Sequence, residues 1–399
     1  MDPGDSFDGC RIVRAGLPNV TGSNQTVRCF VGVSFPLDGL VAKLGAGARV
    51  GVVCTPASLL EDGRDLIAAL PRERVTAFLA LEHGLRGELQ DGVVFDSYVD
   101  RVTGLPVYSF YGSSQGVPPG FLEAVDVVVF CVQDVSHRAY TFKQALASLL
   151  SAAVAAGTPI VVLDRPTPLA HWGAWGPLCC QFFPVPLTVG IPFTLGELAR
   201  CLVAELQLDV DLSVLAVRGW ERSMAWPATG LAWVPPSPNV PTVTSAYAYA
   251  LTGLLQATNV SEGRGTCKPF EFIGAPFLEA EPLAERLNSH GLPGLLFRPV
   301  YFQPQFGKYA GEVCAGVHVL IMDPLICGPM RAQLTILQEV ARGRPETLKL
   351  TPGFGRWLDG AEDWSPERLR DLDVSFLVDS WSVAACEWQC RMESHALYH

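Results

Sequence analysis

The sequence has no basic cluster, no long apolar run and no closely spaced cysteine pair of the zinc-binding kind. Its 29 Lys and Arg are outnumbered by 40 Asp and Glu, for a net charge of −11. A polyanion-binding surface needs clustered Lys and Arg, so neither nucleic acid nor an anionic membrane surface is expected as a partner, which leaves room only for a local basic pocket. The longest helix-like apolar stretch, 145–157 (ALASLLSAAVAAG), is too short to span a bilayer and carries two Ser. The opening decapeptide MDPGDSFDGC holds three Asp and no apolar segment. No secretory signal is read there, and a soluble, cytoplasmic protein is expected. None of the 12 Cys forms a C-x-x-C pair, and several lie inside apolar runs, such as Cys54, Cys131 and Cys201. Reduced core thiols are expected rather than disulfides or structural zinc. Asn19, Asn24 and Asn259 stand in N-x-S/T sequons, which carry no meaning without secretion.

Cofactor signatures are missing as well. The nearest approach to a dinucleotide fingerprint, GAGARVG at 45–51, has the wrong spacing and precedes its strand instead of following it. No G-x-x-x-x-G-K-[ST] phosphate loop occurs. Glu82, His83, Asp134 and His137 are of metal-ligating type, but neither H-E-x-x-H nor H-x-H is present. These groups are read as acids, bases and hydrogen-bonding partners, with no cofactor and no metal. There is no internal repeat and no low-complexity segment.

What is present is ample core. The 399 residues are 49% apolar and 17% charged, which suits two domains. Segments 48–54, 75–81, 105–110, 125–132 and 159–164 read as short strands apolar on both faces. Helical segments at 57–70 and 141–156 separate some of them. Such alternation implies a largely parallel sheet covered on both sides. A further helix over 195–208 starts at Thr194, with Glu197 completing a capping box. The five Pro of 226–242 mark an extended connection, dividing the chain into 1–240 and 241–399. The second part, with helices at 247–256, 280–289, 328–342 and 365–370 and strands near 295–302 and 313–322, reads as a smaller α+β domain.

In open parallel sheets, ligands gather beyond the carboxyl ends of the strands. Three strands here end in polar side chains. Glu82, His83 and Arg86 follow the second; Gln133, Asp134, His137, Arg138 and Tyr140 follow the fourth; Asp164 and Arg165 follow the fifth. In the second half, Ser261, Glu262, Arg264 and Thr266 are punctuated by Gly263 and Gly265, which suggests a tight loop with close backbone approach. Asn239, in SPN (237–239), is a weaker candidate, and Trp220 reads as core. Carboxylates with Arg, Gln, Asn and aromatic neighbours suit a carbohydrate. Hydrolysis of a glycoside needs two carboxyl groups or a substitute for one, and an Arg fits a sugar carboxylate by bidentate pairing.

Several motifs occur in order: EHGLRG (82–87), TGLPVYSFYG (103–112), QDV (133–135) with Arg138 and Tyr140, DRP (164–166), GELA (196–199), SPN, NVSEGRGT (259–266) with PFE (269–271), and Lys308-Tyr309 with Gly311-Glu312. Over about 45–395 the chain resembles the exo-β-N-acetylmuramidases of the NamZ type. The resemblance implies a Rossmann-like doubly wound domain followed by the smaller α+β domain, with the active cleft between them. It implies release of N-acetylmuramic acid from the non-reducing ends of peptidoglycan fragments, so the expected partners are saccharides or muropeptides containing that sugar. On this basis Glu82 is expected as general acid/base, with Asp134 or Glu262 as second carboxylate. Arg86, Arg138 and Arg264 would orient the substrate, and His83 would hold Glu82 or its loop. Gln133, Tyr140, Asp164, Arg165, Asn239 and Ser261 complete the expected binding set. The chain departs from the family pattern at Cys131, Thr167, Ile191 and Gln256. Those departures leave an alternative, a muropeptide-binding protein with impaired catalysis, and behind it a scaffold that binds no sugar.

Overall fold

In the first half of the chain, short strands alternate with helices. The order is α1 (Leu37–Lys43), β1 (Val50–Cys54), α2 (Leu66–Ala69), β2 (Val75–Ala80), β3 (Tyr98–Val99), β4 (Pro106–Ser109), α3 (Pro119–Glu123), β5 (Val127–Cys131), α4 (Phe142–Ala156), β6 (Ile160–Leu163), α5 (Leu195–Glu205) and β7 (Leu212–Leu215). The second half follows with α6 (Val243–Thr252), β8 (Phe272–Ala275), α7 (Ala280–Ser289), β9 (Leu295–Phe302), β10 (Cys314–Ile321), α8 (Pro329–Gly343), α9 (Pro366–Arg370) and α10 (Val374–Met392). The structure, a computed structural model, describes residues 32–112, 115–343 and 346–398. The acidic N-terminus, the sequons at Asn19 and Asn24, and Cys10 and Cys29 lie outside the described residues.

The strands form a seven-stranded sheet in the order β3-β4-β2-β1-β5-β6-β7. All neighbours pair in parallel except β3, which runs antiparallel to β4 at one edge. Every residue of β1, β5 and β6 is buried, as expected for strands covered on both faces. Strand order reverses between β1 and β5, so a crevice opens beyond their carboxyl ends. The second sheet is antiparallel, β8-β10-β9, with α6, α7 and α8 against it or its neighbours. The architecture is the two-domain α/β one that the alternation of strands and helices implies.

The details differ in instructive ways. Of the helix expected over 57–70, only the last turn forms. Gly63, at φ 79°, breaks the segment, and Asp65 caps α2 by accepting from the Ile67 amide at 2.7 Å. Helix α6 begins at Val243, four residues earlier than the pattern suggested, because the Thr242 hydroxyl accepts from the Ser245 amide. The capping box at Thr194 and Glu197 is present. Helix α10 returns the end of the chain to the first sheet. Trp388 and Met392 enter the core on one face, and Tyr398 enters the core on the other. The described cysteines are free thiols. Among the described residues no helix is long and apolar enough to cross a membrane.

Candidate active-site cleft

A cleft of about 620 Å³ lies where the loops after β2 and β5 meet the second half of the chain. Glu82 and His83 line it from the first loop, with Asp91 a few residues on. Tyr140 and Thr141 come from the second loop. Ser237, Asn239 and Val240 contribute from the Pro-rich connection, and Tyr249, Gln256, Arg264, Phe270 and Trp357 from beyond it. The turn after β1 is tied down, with the Ser58 hydroxyl donating to the Cys131 carbonyl at 2.5 Å. The flanking loops therefore meet over β1, and the Thr141 hydroxyl donates to Glu82 Oε2 at 2.6 Å.

The loop after β2 is built around His83. It sits at φ 77°, followed by Gly84 at 78°, which turns the chain sharply off the strand. The His83 carbonyl accepts from the Leu89 amide at 3.1 Å, and its Nδ1–H donates to the Leu89 carbonyl at 3.0 Å. A carbonyl only accepts, so the proton is on Nδ1. His83 thus closes the loop on itself, and the loop returns the Gly92 amide to Glu82 Oε1 at 3.1 Å. Both groups that hold Glu82 are neutral donors.

Opposite Glu82, Arg264 is presented by the predicted tight loop. Gly263 and Gly265 have φ of 77° and 83°. A Cβ at Gly263 would lie 2.5 Å from the Phe272 carbonyl oxygen, and one at Gly265 would overlap Phe306. Only glycine fits either position. Arg264 pairs with buried Glu262 on one side and with Asp91 on the other. Asp91 Oδ1 also accepts from Asn239 Nδ2 at 2.9 Å. Glu262 is further held by Lys308 at 2.9 Å. Burial pushes its carboxyl up, but Lys308 and Arg264 outweigh that and hold it below the usual carboxylate range.

The remaining expected residues lie elsewhere. Arg86 turns away to Asp100, 2.8 Å distant. That pair, burial notwithstanding, lowers the Asp100 carboxyl to about 2. Asp134 is buried against Lys143, whose Nζ is 2.7 Å from both carboxylate oxygens, and it also accepts the Ser136 amide at 2.7 Å. Gln133 and Arg165 bond each other at 3.0 Å beneath the sheet edge, and Arg165 stacks over Phe35. Arg138 is buried and donates to the carbonyls of Pro177, Leu187, Trp357 and Leu358, fastening Trp357 to the first half of the chain. Ser261 pairs through its backbone with Gly274. Glu82, His83, Tyr140, Asn239 and Arg264 are thus brought together, whereas Arg86, Gln133, Asp134, Arg138, Asp164, Arg165, Ser261 and Glu262 support surrounding structure. Asp91, Thr141, Tyr249 and Trp357 were not singled out from the sequence. Only Asp91, in a Gln-Asp-Gly turn, carries even a local signal.

Asp164 belongs to a buried network at the N-terminus of α5. Its carboxylate accepts from Thr194 Oγ1 at 2.6 Å, the Gly196 amide at 2.9 Å and the Tyr398 hydroxyl at 2.8 Å. Burial raises its pKa to about 6 despite these donors. A raised folded-state value favours the fold while the group is protonated, and that contribution is lost as pH climbs through about 6. The stability of the wild type relative to Asp164→Asn should therefore fall between about pH 4 and pH 7, by roughly 2–3 kcal/mol. Urea denaturation at the two pH values measures it; a difference independent of pH would contradict it.

Of the four positions read from the sequence as departures, Cys131, Thr167 and Ile191 are buried, and Gln256 lines the cleft. Among the described residues no group of three His, Cys, Asp or Glu converges as a metal site. One G-x-S-x-G spelling occurs at 112–116, but its two serines lie outside the described residues.

A two-domain α/β protein with an acid, an Arg, amides, hydroxyls and aromatic faces around one cleft has the groups that a saccharide-binding protein needs. The particular family follows from comparison. Family models described as exo-β-N-acetylmuramidase NamZ, N-terminal and C-terminal, match residues 50–244 and 247–398, and the chain belongs to this family. It is 40% identical over 364 residues to the peptidoglycan β-N-acetylmuramidase NamZ of Bacillus subtilis (strain 168), covering 88% of this chain and 87% of that protein. A crystal structure of a DUF1343 family protein from Bacteroides fragilis superposes with a TM-score of 0.80 at 28% identity, covering 92% of this chain and 100% of the other. A second such protein from the same organism, 20% identical with a TM-score of 0.72 and covering 92% and 99% of the two chains, shares the fold.

Proposed function

We propose that this protein is an exo-β-N-acetylmuramidase that hydrolyses the terminal β-linked N-acetylmuramic acid from non-reducing ends of peptidoglycan fragments. Family membership over both halves supports the reaction class. The observation that carries the residue assignment is Glu82, held in the cleft by two neutral donors and, among the described residues, by no cation. A carboxyl so placed, in the cleft and without a charged partner, is positioned for general acid/base work on the leaving group. Arg264 is the partner for the lactyl carboxylate, which would replace Asp91 on the guanidinium. The test is incubation with a disaccharide whose non-reducing sugar is N-acetylmuramic acid. Free N-acetylmuramic acid should accumulate, and its absence at saturating substrate would refute the proposal.

Gln256 favours one second reading. It lines the cleft and is one of the positions read as departing from the family pattern, so a muropeptide-binding protein without turnover is the alternative. Saturable binding of N-acetylmuramic acid with no hydrolysis would select it.

The carboxylate assignment makes its own prediction. Arg264→Ala should raise KM for a muramide by about 10–100-fold, the usual worth of a hydrogen bond to a charged group. It should leave the affinity of the corresponding N-acetylglucosaminide, measured as a competitive inhibition constant, unchanged. Lys308 still holds Glu262 in this variant, so the fold survives. Equal losses of affinity for both sugars would remove Arg264 from carboxylate recognition.

A further inference from the structure

The cleft is short of carboxylates for a glycosidase. Among the described residues only Glu82 and Asp91 line it. Asp91 is engaged on both oxygens, by Arg264 and by Asn239. Asp134 and Glu262, the two acids expected as second carboxylate, are buried against Lys143 and against Arg264 and Lys308. One free carboxyl can protonate a leaving oxygen, but a second group must attack or activate water. The cleft also holds an unused donor. Tyr140 is 9% exposed, lines the cleft, and its hydroxyl has no partner among the described residues. A buried hydroxyl without a partner is costly unless a ligand completes it. Burial pushes the Tyr140 phenol well up, so it remains a donor at neutral pH.

We infer that the substrate supplies the missing nucleophile: its own 2-acetamido carbonyl oxygen attacks the anomeric carbon, held for that attack by the Tyr140 hydroxyl. This inference rests on the muramidase reading. In a β-linked 2-acetamido sugar the acetamido group is trans to the leaving oxygen, so it reaches the anomeric carbon from the opposite face. The carbonyl oxygen forms a bond to the anomeric carbon as the glycosidic C–O bond breaks. The leaving oxygen takes the bonding pair and the proton of the Glu82 carboxyl. The resulting bicyclic oxazolinium ion is opened by water at the anomeric carbon, and Glu82 accepts the proton that water releases. The two inversions give net retention, and no co-reactant other than water is consumed.

Two measurements test this on the full chain. The anomer first released from a β-muramide, followed by proton NMR before mutarotation, should be β. The N-trifluoroacetyl analogue, whose carbonyl is a weak nucleophile, should be slowed on the order of 100-fold in kcat/KM. Tyr140→Phe should lower kcat, with little change in KM, on the N-acetyl substrate. It should have little further effect on the N-trifluoroacetyl one, a dependence that a merely structural tyrosine would not show. An α anomer, or equal rates on both substrates, would overturn the inference while leaving the muramidase reading intact, and would move the role of base to Asp91. No turnover of either substrate would overturn both.

Discussion

Glu82→Gln should lower kcat on a β-N-acetylmuramide by about 10²–10⁴-fold, the usual span for loss of a positioned general acid/base. The substitution keeps size and shape. The Gln amide oxygen can still accept from either the Thr141 hydroxyl or the Gly92 amide, which now share Glu82. Glu82 is neither fully buried nor paired with a cation, so no charge is stranded by the change. The melting temperature should therefore stay near that of the wild type, and substrate should still bind. Turnover under single-turnover conditions, read alongside thermal unfolding, separates loss of chemistry from loss of fold. A near-normal rate in the folded variant would take Glu82 out of the mechanism.

Lys143→Met should have the largest effect on stability. Lys143 and Asp134 are both buried, with side chains 1% and 7% exposed, and their ion pair is 2.7 Å long. Burial lowers the Lys143 pKa against the opposing pull of Asp134, and Met fills nearly the same volume without the charge. Removing one partner leaves Asp134 as an uncompensated buried carboxylate, at a cost of about 3–5 kcal/mol. The damage also reaches function. Asp134 anchors the turn through the Ser136 amide, and the same loop carries Tyr140 and Thr141 to Glu82. The double replacement Lys143→Met with Asp134→Leu should recover much of the loss, since it removes both charges. Denaturant midpoints of the three proteins measure this. A double variant no more stable than the single one would show that the cost is packing rather than charge.

The structure shows why some elements were readable in the sequence and others were not. Strands β1, β5 and β6 are buried at every position, and their unbroken apolar runs announced them. Strand β7 is half-buried throughout and β3 is two residues long, so neither leaves a period to read. Helix α10 was missed because only Ala385, Trp388 and Met392 of its 19 residues are buried. In the cleft, the rule that ligands gather beyond strand ends placed Glu82 and Tyr140 together. It could not say which polar neighbours satisfy one another. Asp134 is neutralised by Lys143 in the first turn of α4, and Arg86 by Asp100. Asp91 meets Arg264 only through the fold, 173 residues away in the chain. Local pattern identifies groups able to do chemistry, and three-dimensional pairing decides which of them are free to do it.

The central claim is hydrolysis of a terminal muramide in a cleft that reads its carboxylate. Release of 4-nitrophenol from 4-nitrophenyl β-N-acetylmuramide, with the β-N-acetylglucosaminide as control, tests it most directly. The account predicts turnover of the muramide and little or none of the glucosaminide. No release from the muramide by folded protein that still binds N-acetylmuramic acid would contradict it and leave a sugar-binding protein in its place.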